Sequence, residues 1–195
     1  MKQEPINNLK WIYYDIVLIL LIIVSLLFIK KDTFMILAFF VLILYLMLTK
    51  RSASLKYLAL STIIAAIWVI IAGKNYGYNN FITVGNVTLF PLFAWAAGLY
   101  SLKHFMDYIN IRDAWKKIII ASIIFWIVLL TTETLAYHVF NFRDIATSNY
   151  PGLPICECIH GPIYMQTVYL LMGPVYYLLT ILLDFLMKRY HARLT

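Results

Sequence analysis

The stretch WKKIIIASIIFWIVLLTTETLAY, residues 115–137, decides what kind of protein this is. After Lys116 and Lys117 no charge appears until Glu133, and the run between is almost wholly Ile, Leu, Val, Phe and Trp. A hydrocarbon core about 30 Å thick takes about 20 helical residues to cross, so the stretch reads as a membrane-spanning helix. Working outward, apolar runs of the same kind lie at 11–29, 33–49, 57–72, 86–102 and 164–187. Lys30-Lys31-Asp32, Lys50-Arg51, Gly73-Lys74 and Lys103 punctuate them. The expected fold is therefore all-α: one polytopic domain over 1–195, an integral membrane bundle of six transmembrane helices.

The composition agrees. The chain has 195 residues, 63% hydrophobic and 13% charged, against about 45–50% and about 25% in soluble domains. That excludes a secreted disulfide scaffold, a disordered chain, an ordinary nucleic-acid binder and a soluble enzyme. The expected partner is the lipid bilayer, not nucleic acid. The formal net charge of +7 then reads as an orientation signal. With six spans, one side carries Lys2, Lys10, Lys50, Arg51, Lys56, Lys103, Arg112, Lys116, Lys117, Lys188, Arg189 and Arg193, and the other only Lys30, Lys31, Lys74 and Arg143. The basic side faces the cytoplasm by the positive-inside rule. This predicts a multi-pass protein of the plasma (inner) membrane with both termini cytoplasmic. No small-x-small cleavage site follows the first run, so it is expected to stay as an anchor.

Small residues at Ala94, Ala97, Gly98 and Ser101 fall on one face of the fourth span, where they predict a tight helix–helix contact, within the bundle or with a partner helix. Trp68, Trp95 and Trp126 lie near mid-span and are expected to fill the interior. Gly173-Pro174 predicts a kink in the sixth span. Asp15 and Asp184 sit at helix ends and are expected to cap or to pair with basic neighbours.

No ionisable residue lies at mid-depth, which argues against a proton pump or ion-coupled carrier. Polar residues gather instead from Thr131 to His160, at the end of the fifth span and in the loop after it. If the helix continues, Thr131, Thr134, His138 and Asn141 form one polar stripe, with Glu133 and Tyr137 beside it. Glu133 and His138 then point about 140° apart and converge only if the helix breaks between them. Pro151, Gly152, Pro154, Gly161 and Pro162 give the loop a rigid, turned path, and Leu153, Ile155 and Ile159 let it dip into the interface. A long re-entrant or lid-like loop between helices five and six is expected.

Cys156, Cys158 and His160 alternate, so an extended segment would offer two thiolates and an imidazole to Zn²⁺ or Cu⁺. The plainer expectation is two unpaired packing cysteines, not bonded to each other, because a bridge between them closes a very small ring. Arg143-Asp144 reads as a surface pair, or Arg143 as a holder of an anionic headgroup. No catalytic motif is present and nothing names a cofactor.

The functional expectation is a membrane enzyme acting on a lipid-like or isoprenoid-like hydrophobic molecule at an outward-facing interfacial pocket. Glu133 and His138 are the expected acid/base groups, with Arg143, Asn141, Tyr137 and His160 binding substrate under the loop 150–162. The alternatives are a non-catalytic subunit docking partner helices, a thiol or metal redox protein, and a permeation path for a neutral solute.

Overall fold

The computed structural model describes residues 13–17, 30–73, 77, 81–85 and 87–194. Helix α1 is seen at 13–17, followed by α2 (Lys31–Leu48), α3 (Leu55–Ala72), α4 (Leu89–Tyr108), α5 (Ala114–Thr134) and α6 (Ile163–Leu194). Four helical stretches are long and apolar enough to cross a membrane: Lys31–Leu48, Ser52–Ala72, Ala114–Val139 and Ile163–Tyr190. Their outward faces carry exposed Leu37, Phe40, Leu44, Ile63, Ile67, Ile70 and Ile127. Side chains of that kind face outward when the surrounding solvent is lipid, so the fold is that of a membrane protein. Most of the expected first span, 11–29, lies outside the described residues.

Helix α4, at the place of the expected fourth span, is not among these four stretches, and it differs from expectation at both ends. It begins at Leu89, because Val87–Thr88 pair antiparallel with Thr83–Val84 in a small hairpin within an otherwise helical fold. Gly85 makes the turn at φ +60°, a conformation that costs glycine little. Pro91 sits in the first turn of α4, where backbone N–H groups have no helical acceptor and its missing donor is harmless. The helix then runs past Leu102 to Tyr108, with Lys103 neutralised by Asp107 one turn on, at 2.5 Å. The hairpin is pinned by Asp32. Its fully buried carboxylate accepts from the backbone of Thr33 (2.8 Å) and of Ile82 (3.1 Å).

Helix α4 is the hub, packing on α2, α3, α5 and α6. Leu99, Tyr100 and Met106 of α4 are buried with Ala65, Trp68 and Val69 of α3 and with Tyr169 and Tyr176 of α6. Trp68 and Trp95 fill the interior as expected and meet Tyr169 edge-on at 5.8 and 4.9 Å. Trp126 does not: its ring is 39% exposed.

Close helix packing occurs at Gly173. A Cβ there would fall 2.2 Å from the Phe125 ring, so only glycine lets α5 approach α6. Among the described residues the Ala94–Ser101 stripe forms no such contact. The space beside Gly98 is open, Ser101 is exposed, and Ala94 and Gly98 border a groove facing α5. Phe90 and Phe125 also line that groove. Helix α6 is continuous through Pro174.

The helix ends expected to face the cytoplasm are tied by two acids. Asp15 accepts from Tyr45 (2.6 Å), Tyr108 (2.5 Å), Arg51 (3.0 Å) and His104 (3.0 Å). Asp184 accepts from Lys56 (2.9 Å) and from the Tyr57 hydroxyl.

Candidate functional site at the C-terminal end of α5

The last turns of α5 loosen before they end. The hydroxyl of Thr132 donates to the carbonyls of Val128 and Leu129, and that of Thr134 to Leu130 at 2.6 Å. Such back-bonding satisfies the threonines on their own helix and weakens its regularity. A π turn follows over Leu135–Val139, with Phe140 N–H donating to the Leu135 carbonyl at 3.0 Å. Single π turns widen a helix and often accompany functional sites. Asn141, at φ +49° and exposed, ends the run. It stops the helix and lines neither cavity described below.

Glu133 borders two spaces at once. One is a cavity of about 250 Å³ between α4 and α5, walled by Trp95, Gly98, Phe125 and Leu129 and closed at one end by Phe90 and Phe142. Thr132 and Glu133 are its only polar wall residues among the described residues. Phe81, Phe90 and Phe142 meet at centroid distances of 5.3, 5.6 and 5.1 Å and make an aromatic end wall. The other space is a chamber of about 20 Å³ lined by Glu133, Tyr137, Asp144, Thr147, His160 and Tyr169. That is room for about one water or one hydroxyl group. Among the described residues, the Glu133 carboxyl makes no hydrogen bond or ion pair.

The four residues expected around one pocket divide two and two. Glu133 and His160 line the chamber. His138 does not: its Nε2 donates to the Cys156 carbonyl at 2.9 Å, tying the π turn to the loop. Arg143 is exposed, its guanidinium 4.8 Å over the Tyr137 ring. Tyr137 organises the group. His160 stacks on it at 4.5 Å with planes 25° apart, and His138 meets it edge-on at 4.9 Å.

Asp144 departs from its expected surface pairing with Arg143. It accepts from Thr147 N–H (3.0 Å) and Oγ1 (2.8 Å), capping the 3-10 turn Ile145–Ser148, and faces the chamber. Burial pushes its carboxyl above the usual range, although the Thr147 bonds pull the other way. Burial pushes the His160 imidazole below its ordinary value, with the nearby Asp144 charge opposing. The Asp-x-x-Thr capping pattern was the signal for Asp144 in the sequence. Tyr169 and the α4–α5 groove gave no signal at all, because they arise from helices meeting in space.

The segment after α5 is a folded cap. Leu153 N–H donates to the Cys158 carbonyl at 2.7 Å, Ile145 N–H to the Gly77 carbonyl at 3.0 Å, and Gln166 Nε2 to Pro151 and Ile159 carbonyls at 3.1 and 3.3 Å. Gly152 passes so close to the Glu157 backbone that a Cβ would lie 2.7 Å from it. The cysteines are bonded to each other, contrary to the expectation of two unpaired thiols. A turn at Glu157, φ +47°, brings their Cα atoms to 5.1 Å, inside the usual bridging range of about 4.4–6.8 Å. With both sulfurs joined, neither is a thiolate ligand, and the Cys156–Cys158–His160 metal edge falls away. Among the described residues no group of three or more His, Cys, Asp or Glu side chains is placed to hold a metal ion.

No protein-family model matches the chain, and comparison with curated proteins and with solved structures finds no match.

Proposed function

We propose that this membrane protein is an enzyme acting on a neutral, isoprenoid-like or other lipid-like molecule, with Glu133 as the acid/base group. One observation carries the reading: Glu133 forms part of the wall of both the apolar groove and the polar chamber. An apolar chain lying between α4 and α5 would bring its reactive end to that carboxyl. The chamber behind it supplies a place for a water or hydroxyl beside Asp144 and His160. Among the described residues the groove wall has no Lys or Arg, which disfavours a phosphate in it. Tyr137 and His160 would hold the polar end, Arg143 would stand at the mouth, and His138 would fix the cap.

In this reading the chain crosses the plasma (inner) membrane six times with both termini cytoplasmic, and the cap lies on the outer face. The exposed apolar helices and the asymmetry of basic residues support that arrangement. Lipid extracts of cells producing the wild type and Glu133→Gln test the chemistry. A lipid species altered by the wild type and not by the variant is expected. Extracts that match between wild type, variant and empty cells sink the enzyme reading.

A second reading has one observation of its own. The open space beside Gly98 and Ala94 would accept a partner's helix. A photoactivatable isoprenoid alcohol separates the two. The enzyme reading expects it to label α4 and α5, and Gly98→Phe to suppress the labelling. Labelling indifferent to Gly98→Phe, with a second protein held only by the wild type, favours the subunit.

A further inference from the structure

The cap carries a redox bond placed unevenly with respect to solvent. Cys158 is fully buried, against the end of α5, with the Thr134 hydroxyl 3.9 Å from its sulfur. Cys156 is only partly buried, at the edge of the core, and the Cys158 backbone N–H points at its sulfur from 3.3 Å. Between and beyond them, Glu157 (φ +47°) and Ile159 (φ +51°) hold left-handed backbone conformations that side chains other than glycine rarely adopt. Residues kept in such regions persist only while surrounding structure over-determines them. Here the surrounding structure is the disulfide ring and the Leu153–Cys158 bridge, helped by the bonds from His138 to the Cys156 carbonyl and from Gln166 to the Ile159 carbonyl. The next two residues, Ile159 and His160, are chamber wall.

We propose that Cys156–Cys158 is an exchangeable disulfide, opened by thiols through Cys156, and that its opening releases the Ile159–His160 wall of the chamber. A thiolate, from a small thiol or a protein dithiol, attacks the sulfur of Cys156, the less buried of the two residues. The Cys156–Cys158 bond breaks, and its electron pair leaves with Cys158, which takes up a proton. A mixed disulfide now links the attacker to Cys156. A second thiolate attacks the attacker's sulfur and expels Cys156, whose departing charge the Cys158 N–H stabilises. Two thiols are oxidised to one disulfide, and one protein disulfide is reduced to two thiols. With the ring open, Glu157 and Ile159 relax from their left-handed conformations, and His160 comes off Tyr137.

The test uses the full chain in lipid nanodiscs, without denaturant. Reduced glutathione is added, the reaction is quenched in acid, and adducts are mapped by mass spectrometry. Glutathione on Cys156 is expected to exceed that on Cys158 by at least about tenfold, following access. The single-cysteine variants have no disulfide to open and are given oxidised glutathione instead, so that Cys158→Ser, which leaves Cys156 as a free thiol, should take the adduct in the folded state with release of one reduced glutathione. Cys156→Ser, which leaves Cys158 buried, should resist it. Hydrogen exchange should rise across 153–160 on reduction while α3 and α4 stay protected. A bond that opens only when the protein is unfolded, an adduct chiefly on Cys158, or opening with unchanged exchange at 157–160 would each overturn the proposal. None of these readouts depends on the lipid chemistry assigned to Glu133.

Discussion

The indole Nε1 of Trp126 donates to the backbone carbonyl of Leu170 at 2.7 Å. Leu170 is four residues before Pro174, and proline has no N–H to return to that carbonyl. In lipid an orphaned carbonyl has no water to turn to. Helix α5 therefore supplies from its side the donor that α6 lacks along its axis. This explains why a tryptophan sits half-exposed at mid-helix instead of in the core.

Trp126→Phe should destabilise the protein by about 1 kcal/mol, the scale of an interhelical hydrogen bond in a membrane. Pro174→Ala restores the intrahelical donor. In that background Trp126→Phe should cost much less. A double-mutant cycle on unfolding in mixed micelles measures the coupling. Equal costs in both backgrounds would show that the bond to Leu170 is incidental.

The α5–α6 seam makes a sharper demand at Gly173. A methyl group there overlaps the Phe125 ring at its root, where side-chain rotation gives no relief. Gly173→Ala should destabilise by about 3 kcal/mol or prevent folding, the upper end of overpacking costs. Phe125→Leu, added to Gly173→Ala, should recover part of the loss. If Gly173→Ala alone unfolds like the wild type, the two helices are not in the contact described.

How far this architecture could be read beforehand depends on what sets each part. Long apolar runs such as 115–137 are legible because hydrocarbon admits little but helix of a given length. Glu133 stands out for the same reason, as an acid in such a run. The rest turns on partners distant in the chain. Asp32 looks like a helix-end charge until Ile82 is seen against it. The Ala94–Gly98 stripe has the spacing of a helix contact, and only the placement of α5 shows that it borders open space. Glu133 and Tyr137 line one chamber, as their four-residue spacing on a helix foresees, but the return of Asp144, His160 and Tyr169 to the same chamber is not in the local pattern. The disulfide depends on the left-handed turn at Glu157, and a glutamate gives no warning of that.

Asp32 offers a third prediction. Its carboxylate satisfies the N–H of Thr33 at the start of α2 and that of Ile82 beside the hairpin. Asp32→Ala removes the acceptor of both part-buried donors and should cost about 1–2 kcal/mol. Asp32→Asn keeps one acceptor oxygen and should cost less. Hydrogen exchange at Ile82 should rise in Asp32→Ala while the core of α3 stays protected. Unchanged exchange at Ile82 would count against the pin.

The chamber predicts how stability follows acidity. His160 binds its proton less readily in the folded chain than in the unfolded one, because burial disfavours the imidazolium. The unfolded chain therefore takes up more protons as the pH falls past the ordinary histidine value of 6.5. His160 thus makes the protein less stable on acidification, and the loss levels off only below its own lowered folded value. Asp144 works in the other direction. Its carboxyl is held above the ordinary 3.8, so the folded chain keeps that proton longer. Its contribution is present below 3.8 and is lost as the pH rises through the folded value. His160→Phe keeps a ring to stack on Tyr137 and removes the titration. Its stability should decline less than that of the wild type between about pH 7.5 and 5.5, measured as unfolding in micelles at each pH. Asp144→Asn retains an acceptor for Thr147 and should remove the opposing gain on further acidification. A His160→Phe curve parallel to the wild type would mean that His160 is as well solvated folded as unfolded, and that the chamber does not shut water away from it.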